Sequence, residues 1–262
     1  MGYGKQIGLL VFITMFVIQA CGTTEPMLAN ASLPASPTAT SIPLAQQVTL
    51  TSITFKEEGQ VPTYIISAQT PRFTGSDDAR VQKFNEKAAE LIQNEVEYFR
   101  KNILAQAPAV STPTGNLFQE NYTVVFQNGR IWSLKFDFTG YADGAAHPYH
   151  YSKIFNYDIE QGKKLSLENL FRPDSNYLEA VSSYCIFELS KRDIGFYGGF
   201  EQGAAPTAEN YRNWNITPSG LLITFDEYQV APYAAGTQSV IVPYEQLKSI
   251  AEPKGPLAGL LP

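Results

Sequence analysis

The sequence predicts an α+β fold, with a mainly antiparallel sheet packed by two main helices in one compact lobe. Several short runs alternate apolar and polar residues, which is typical of half-buried strands. Asn128-Gly129 lies between two such runs and is the strongest short-range signal of a β-hairpin. One longer stretch, Val81 to Ile103, repeats apolar residues at steps of three and four, as an amphipathic helix does. Strands in hairpins with helices inserted between them favour this fold class.

The first predicted elements lie between residues 48 and 107. Val48–Phe55 and Tyr64–Ala68 are predicted strands, and the alternation of the first indicates that it is half-buried. Ser76 or Asp77 offers a cap for the first helix, and Ala107-Pro108 ends it. Phe84 and Leu91 are expected to face the sheet. The full apolar stripe is Val81, Phe84, Ala88, Leu91, Ile92, Val96, Phe99 and Ile103.

The rest of the chain contains five further predicted strands and two helices. The strands are 122–126, 131–138, 149–159, 221–225 and 239–243. The helices are Asn176–Arg192 and the short Tyr244–Ala251. Cys185 lies in the apolar pattern of the first of these, so a buried, inert thiol is expected. Gly195–Gly199 is expected to be a flexible loop, because no lysine follows it as in a phosphate loop.

The N-terminal residues predict an export signal. Lys5 precedes the apolar run Ile7–Ile18, and Ile18-Gln19-Ala20-Cys21 has the form of a lipobox. We expect residues 1–20 to be a lipoprotein signal peptide and Cys21 to become a lipid-modified N-terminus. The apolar run is shorter than the roughly 20 residues of a membrane-spanning helix. A single membrane anchor, or an ordinary signal with a chance cysteine, is the alternative.

The predicted organisation places one globular domain behind a tether. Residues 21–46 are rich in Ser, Thr, Ala and Pro and are expected to be a lipid anchor and disordered tether, because they bury too little apolar surface. Residues 47–147 and 148–251 form the two halves of the domain, and 252–262 form a tail. The lobe is expected to be extracytoplasmic and anchored to a bacterial membrane by lipid.

The composition of the chain bears on its partners and on its core. The chain has 262 residues and a net charge of -6, which argues against nucleic acid, since phosphate binding needs a basic face. The hydrophobic fraction of 44% is sufficient for one sizeable core without disulfides. With Cys21 lipidated, Cys185 has no cysteine left with which to form an intramolecular bridge.

Two stretches resemble a known family. The first is Gly144-Ala-Ala-His147 with the segment 155–171, and the second is Trp214–Gly236 with Val240–Leu247. Their order and spacing resemble the extracytoplasmic domain of the lysozyme-sensing anti-sigma factor RsiV and the non-catalytic N-terminal region of the deacetylase PdaC. The resemblance covers about residues 46–250. It implies lysozyme or peptidoglycan as the partner, and it makes Gly144 and His147 part of a fold signature without a catalytic role.

Two features depart from those relatives. Only Met1–Gln6 precede the apolar run, so a cytoplasmic segment that holds a sigma factor is not expected. The chain also leaves no length for a separate metal-dependent deacetylase domain. We therefore expect a non-catalytic, lipid-anchored binding domain of the cell envelope. The alternative is a hydrolase that acts on envelope glycans, with its acids in an unrecognised cleft.

The two histidines, His147 and His150, do not predict a metal site. Pro148 disfavours a helix between them, and on a strand positions i and i+3 face opposite sides. Zinc would need further ligands, for which Asp143 and Asp137 are the nearest candidates. The expectation is therefore that no metal or other cofactor is bound, and that His147 is a structural group in a turn.

Catalytic residues are not predicted either. The sequence contains neither G-x-S-x-G nor H-E-x-x-H. Two acids across a cleft can hydrolyse glycosides, but acids in this chain are expected to be solvated or to cap turns. Those considered are Asp137, Asp143, Asp158, Asp226 and Glu227.

The loop Asp226–Gly236 is the predicted binding site. It is too long for a tight hairpin, and binding residues are often on loops that a scaffold positions. Tyr228 and Tyr233 flank Pro232, which limits the freedom of the loop. Exposed rings can stack on sugar faces or anchor a protein. Tyr228, Pro232 and Tyr233 are thus the ligand-binding candidates, and packing at the edge of the core is the alternative role.

Overall fold

The structure is a computed structural model that describes residues 42–108, 112–194 and 200–262. The predicted signal peptide, Cys21, most of the predicted tether and the predicted loop Gly195–Gly199 lie outside the described residues. Contacts between Cα atoms group residues 41–262 into one unit.

The α+β prediction is confirmed, and the first half of the lobe is built on a six-stranded sheet. Its strands are β1 (Thr49–Gln60), β2 (Thr63–Thr74), β3 (Asn116–Gln127), β4 (Ile131–Tyr141), β5 (Tyr149–Asp158) and β6 (Lys163–Lys164). They lie in chain order, and every neighbouring pair except β2 and β3 is antiparallel. Because parallel strands need a crossover, the helix α1 (Ala79–Asn102) connects β2 to β3.

The sequence explains where α1 begins and which face it buries. The carboxylate of Asp78 caps the helix by accepting from the Arg80 N–H at 2.8 Å, one residue after the predicted caps. Phe84 is fully buried, with its ring centroid 4.3 Å from that of Phe73 and 5.2 Å from that of Phe155. Leu91, which was expected to face the sheet, is only half-buried, because it lies at the border of the buried stripe.

The second half of the lobe is built on a separate, three-stranded sheet. Its antiparallel strands are β7 (Trp214–Ile216), β8 (Gly220–Phe225) and β9 (Gln238–Pro243). The helices of this half are α2 (Tyr177–Ser190), α3 (Phe200–Gly203) and α4 (Tyr244–Leu247). The sequence pattern did not predict β6, β7 or α3, because each is too short to show a period. Cys185 is buried in α2, as predicted, and burial raises the pKa of its thiol to about 12.

A buried polar network joins the two halves. The Ser133 hydroxyl on β4 donates to Asn156 Oδ1 on β5 at 2.5 Å, and it accepts from the Asn215 side-chain amide at 2.8 Å. The Asn156 amide in turn donates to the Trp214 carbonyl at 2.8 Å. All four residues are buried, so β7 is fixed against the six-stranded sheet by paired polar groups rather than by apolar contact alone.

The edges of the lobe differ from the expectation in three places. Leu44, which the prediction places in the tether, is buried in a 3-10 turn, Leu44–Gln46. Leu257 is buried as well, so the predicted tail 252–262 contributes to the core. Most residues of β1 are exposed rather than half-buried, because it is the edge strand of the sheet. Among the described helices, none combines the length and the apolar character that a membrane span requires.

Candidate functional site

Three rings from two loops form a stack on the surface, which we call the aromatic platform: His147, Tyr228 and Tyr233. The ring centroids of His147 and Tyr233 are 3.9 Å apart, with an angle of 24° between the ring planes. The rings of Tyr233 and Tyr228 continue the stack, with centroids 5.9 Å apart and planes at 30°. Tyr228 is 62% exposed, and His147 is also exposed, so this stack faces solvent rather than the core.

The loop that carries His147 is held by hydrogen bonds at its base. Asp143 donates its N–H to Asn116 Oδ1 at 3.0 Å, and its carboxylate accepts from the Thr112 N–H at 2.8 Å. Gly144 has φ +82°, the left-handed region that favours glycine, and this allows the chain to turn toward His147. The Tyr141 hydroxyl donates to the Ala145 carbonyl at 3.1 Å. These contacts define the position of the imidazole before any ligand binds.

The second loop is attached to the outer edge of β5 by two carboxylates. Asp226 accepts from the Ser152 N–H at 2.9 Å, and Glu227 accepts from the His150 N–H at 3.2 Å. Asp226 also accepts from the Asn213 amide at 2.9 Å and from the Arg212 guanidinium at 3.1 Å. Burial raises the pKa of Asp226, while these hydrogen bonds and the charge of Arg212 act in the opposite direction.

The backbone of Tyr228 is strained. Its φ of +65° is unfavourable for a bulky side chain, and such strain persists only where the surrounding structure enforces it. Here the enforcing contacts are the Asp226 and Glu227 carboxylates on one side and Gln229 on the other. The Gln229 amide donates to the carbonyls of Gly203 and Asn210, at 3.0 and 2.9 Å. An aromatic ring held outward by a strained backbone is typical of a functional position.

A groove of about 950 Å³ lies beside the platform, between α1 and the outer edge of β5. Asp226 lines this groove and lies two residues before Tyr228, on the loop that carries two rings of the platform. Six cationic side chains and three carboxylates line the groove. The cations are Lys83, Lys87, Lys153, Lys163, Lys164 and Arg212, and the carboxylates are Glu90, Glu95 and Asp226.

The structure brings the residues singled out in the sequence into one place. Tyr228 and Tyr233 stack with His147, which had been assigned a structural role on the Gly144 turn, and Pro232 is half-buried beside them. Ligand binding by these residues stays a prediction. Sequence reasoning missed the groove. One available signal was the spacing of Lys83 and Lys87, four residues apart and therefore on one helix face.

The histidines serve as hydrogen-bonding groups within the described lobe. His147 Nδ1 donates to the Pro148 carbonyl at 2.8 Å, and His150 Nδ1 lies 3.1 Å from the Thr139 hydroxyl. Across residues 42–108, 112–194 and 200–262, His, Cys, Asp and Glu side chains do not gather in groups of three that could hold a metal ion. The expectation that no cofactor is bound stays a prediction.

The acids considered for catalysis occupy structural positions. Asp158 is buried and pairs with Arg130 at 2.6 Å, while Asp137 pairs with Lys135 and accepts from the Ser152 hydroxyl at 2.9 Å. In the groove, Glu95 accepts from the Tyr151 hydroxyl at 2.7 Å and from Lys153. Carboxylates with this many donors are fixed in place by their hydrogen bonds and ion pairs.

The chain is similar to several known proteins over part of its length. Residues 168–245 match the family model DUF3298, described as a protein of unknown function. The chain is 29% identical over 175 residues to the peptidoglycan-N-acetylmuramic acid deacetylase PdaC of Bacillus subtilis, covering 66% of this chain and 36% of PdaC. It is 30% identical over 111 residues to the immunogenic protein MPT64 of Mycobacterium tuberculosis, covering 41% and 46%. The esterase Rv3036c of that organism is 26% identical over 108 residues, covering 41% and 47%.

The chain thus spans between about a third and a half of the length of these curated relatives. Two crystal structures share its fold. A DUF3298 family member from Bacteroides fragilis aligns with a TM-score of 0.61 at 16% identity, covering 81% of this chain and 96% of that one. One from Pseudomonas aeruginosa aligns with a TM-score of 0.56 at 16% identity, covering 82% and 97%. Residues 168–245 therefore match DUF3298, the chain has a sequence relative in PdaC, and its described lobe has the fold of two solved DUF3298 proteins.

Proposed function

We propose that this chain is a non-catalytic, peptidoglycan-binding lipoprotein of the bacterial cell envelope, held at the membrane through lipid on Cys21. The observation that carries the proposal is the aromatic platform. The outer faces of this rigid stack, on His147 and Tyr228, offer flat apolar surfaces, which suit the face of a sugar ring. Side chains with few rotatable bonds also lose little entropy when they bind. The sequence relative named as a peptidoglycan deacetylase supports this choice of polymer.

The platform is suited to binding because its parts are positioned in advance. Both of its loops are attached to the six-stranded sheet: the Asp143 N–H donates to Asn116 on β3, and the Asp226 carboxylate accepts from the Ser152 N–H on β5. A site that is already ordered avoids the cost of ordering side chains and loops on association. The groove beside the platform adds charged and polar groups that would orient a long polymer.

Truncating the platform is expected to weaken binding without unfolding the lobe. In Tyr233→Ala the central ring of the stack is lost, and the affinity for purified peptidoglycan is expected to fall about thirtyfold, since aromatic anchors typically contribute about 2 kcal/mol. The measurement is co-sedimentation of the full-length protein, kept in detergent, with insoluble peptidoglycan. Tyr228→Ala is expected to weaken binding as well.

Phe187→Ala is the matched control for this experiment. Phe187 is an aromatic residue on α2 that is 58% exposed and contacts Lys191, away from the platform. It is expected to leave sedimentation unchanged. A thermal melt of each variant separates binding from packing. The proposal fails if Tyr233→Ala lowers the melting temperature sharply, or if it binds as the parent does. A parallel pulldown with lysozyme tests the other partner that the RsiV resemblance implies.

Hydrolysis of an envelope substrate is the second candidate. Two observations favour it: the groove holds Glu95 and Asp226, and two relatives are named as a deacetylase and an esterase. Against it, both carboxylates already accept from two or more donors. Release of acetate or of new reducing ends from peptidoglycan, lost in Glu95→Gln, would establish this activity and remove the non-catalytic proposal.

The lipid anchor has its own test. In Cys21→Ser the thiol that would carry the lipid is absent, so incorporation of a labelled fatty acid is expected to be abolished and the protein to be unprocessed or released. The label is measured in protein recovered from a bacterial host. Cys185→Ser is the control, because that buried thiol is expected to play no part. Equal label in Cys21→Ser and in the parent would contradict the anchor.

A further inference from the structure

The groove carries more positive charge than the rest of this acidic chain would suggest. The protein as a whole has 19 Lys and Arg against 25 Asp and Glu, whereas the groove has six cations against three carboxylates. A concave surface of one sign focuses its electric field and raises the local concentration of ligands of opposite sign. The charge of the groove therefore points to an anionic ligand.

Ion pairs within the groove account for only half of its cations. Lys87 pairs with Glu90 at 2.5 Å, Lys153 pairs with Glu95, and Arg212 pairs with Asp226 at 3.1 Å. Each groove carboxylate thus has one cationic partner from the same surface.

Three cations remain: Lys83, Lys163 and Lys164. Within the described part of the chain none of these three forms an ion pair, and Lys164 Nζ instead lies 5.8 Å from the centre of the Phe155 ring. Partial desolvation and the nearby charge of Lys153 lower the pKa of Lys164. An anion placed here would relieve the repulsion between these ammonium groups.

The floor of the groove offers main-chain groups as well. His150 and Ser152 direct their N–H groups away from β4, to Glu227 and Asp226. Alternate residues of a strand share this direction, so Ile154, which lines the groove, also faces outward. Further along, β6 and Leu165 cover the edge, with Leu165 donating to the Asn156 carbonyl at 2.8 Å. Between Ser152 and Asn156 this edge thus has no paired strand among the described residues, although Ile154 itself is only 9% exposed.

We propose that this groove binds an extended peptide that bears carboxylates, the chemistry of the stem peptides of peptidoglycan. Lys83, Lys163 and Lys164 bind the carboxylates, and the edge of β5 at Ile154 pairs with the peptide backbone as an added strand does. This inference rests on the proposed function: the platform binds the sugar, and the groove binds the attached peptide.

The test compares a soluble stem peptide with the same peptide amidated at every carboxylate. Binding to the full-length protein is measured by calorimetry. We expect the acidic peptide to bind, the amidated one to bind at least tenfold more weakly, and rising salt to weaken the first. The triple variant Lys83→Gln/Lys163→Gln/Lys164→Gln is expected to lose at least tenfold in affinity for the acidic peptide.

A charge-matched control is Lys191→Gln/Lys248→Gln/Lys254→Gln, which removes three lysines that do not line the groove. It is expected to bind as the parent does. Equal affinity for the two peptides, no binding by the parent, or equal losses in both triple variants would each overturn the inference.

Glycan strands stripped of their peptides separate this inference from the proposed function. If intact peptidoglycan and stripped strands bind through Tyr233 but the stem peptide does not, the groove assignment fails and the proposed function stands. If the stem peptide binds through the lysines but sedimentation with peptidoglycan is unaffected by Tyr233→Ala, the platform assignment fails and the groove assignment stands.

Discussion

Phe84→Ala is expected to lower the free energy of unfolding by about 3–5 kcal/mol, the range for removal of a buried phenylalanine side chain. Phe84 is fully buried on α1 and packs against Phe73, Phe155 and Tyr157. Its removal opens a cavity in the core between α1 and the six-stranded sheet. The surrounding rings belong to β2 and β5, and neither strand can move into the space without breaking its pairing with its neighbours. The measurement is the midpoint of unfolding in urea.

Leu91→Ala on the same helix is the matched control. Leu91 lies at the wall of the groove and is only half-buried, so its truncation removes less contact and leaves a space that water already reaches. Its cost is expected to be about 1 kcal/mol, below the range for a fully buried residue. A larger loss for Leu91→Ala than for Phe84→Ala would contradict the orientation of α1.

Glu120 is expected to make the protein less stable as the pH rises toward neutral. Its side chain is buried on β3, where one oxygen accepts from the Gln69 N–H at 2.7 Å and the other has no partner among the described groups. Burial raises the pKa of Glu120 to about 7, and the nearby charge of Asp137 acts in the same direction. The folded protein thus holds a proton that the unfolded chain releases at a pH of about 4.5.

The direction of this pH dependence follows from the number of protons that the folded and unfolded states bind. Between about pH 4.5 and 7 the folded state binds more protons at this site than the unfolded state does, so the free energy of unfolding falls as the pH rises. The contribution is fully present below pH 4.5 and is lost by the time the pH passes 7. Its size is about 3 kcal/mol, since each pH unit between the two pKa values is worth about 1.4 kcal/mol.

Glu120→Gln isolates this effect, because glutamine has the same shape and does not titrate. The difference in unfolding free energy between parent and variant, measured in urea at several pH values, is expected to move in favour of the variant as the pH rises. Asp226 also has a raised pKa, but it titrates in both proteins and cancels in the difference. A difference that is constant from pH 4.5 to 8 would show that Glu120 is not the titrating group.

Local signals in the sequence were sufficient for most elements of the fold. Asn128-Gly129 lies in the three-residue turn 128–130 that joins β3 and β4, as expected, and Gly129 supplies the positive φ of +86° there. The helices α1 and α2 follow from periodicity alone. The parallel pairing of β2 with β3 could not be predicted in the same way, because it depends on where α1 returns the chain. The exposure of β1 was also missed, because an edge strand and a central strand can show the same alternation of apolar and polar residues.

The candidate site was only half accessible to sequence reasoning. Loop composition pointed to Tyr228 and Tyr233, but His147 is far from them along the chain and joins the stack only because β5 places both loops together. The groove depends on longer-range geometry still, since its lysines come from α1, β5 and β6. A single lysine in a sequence is typical of a solvated surface residue. Only the fold shows that three of these lysines have no carboxylate partner among the described residues.

The attachment of the second loop to β5 affects which substitutions on that strand the protein tolerates. Asp226 and Glu227 bind backbone N–H groups, which every residue except proline supplies, so the side chains of Ser152 and His150 are free to vary without moving the aromatic rings. The same two carboxylates occupy donors on a strand edge that would otherwise be open to pairing with another chain. One pair of acids thus both fixes the loop that carries Tyr228 and Tyr233 and occupies exposed donors at the edge of the sheet.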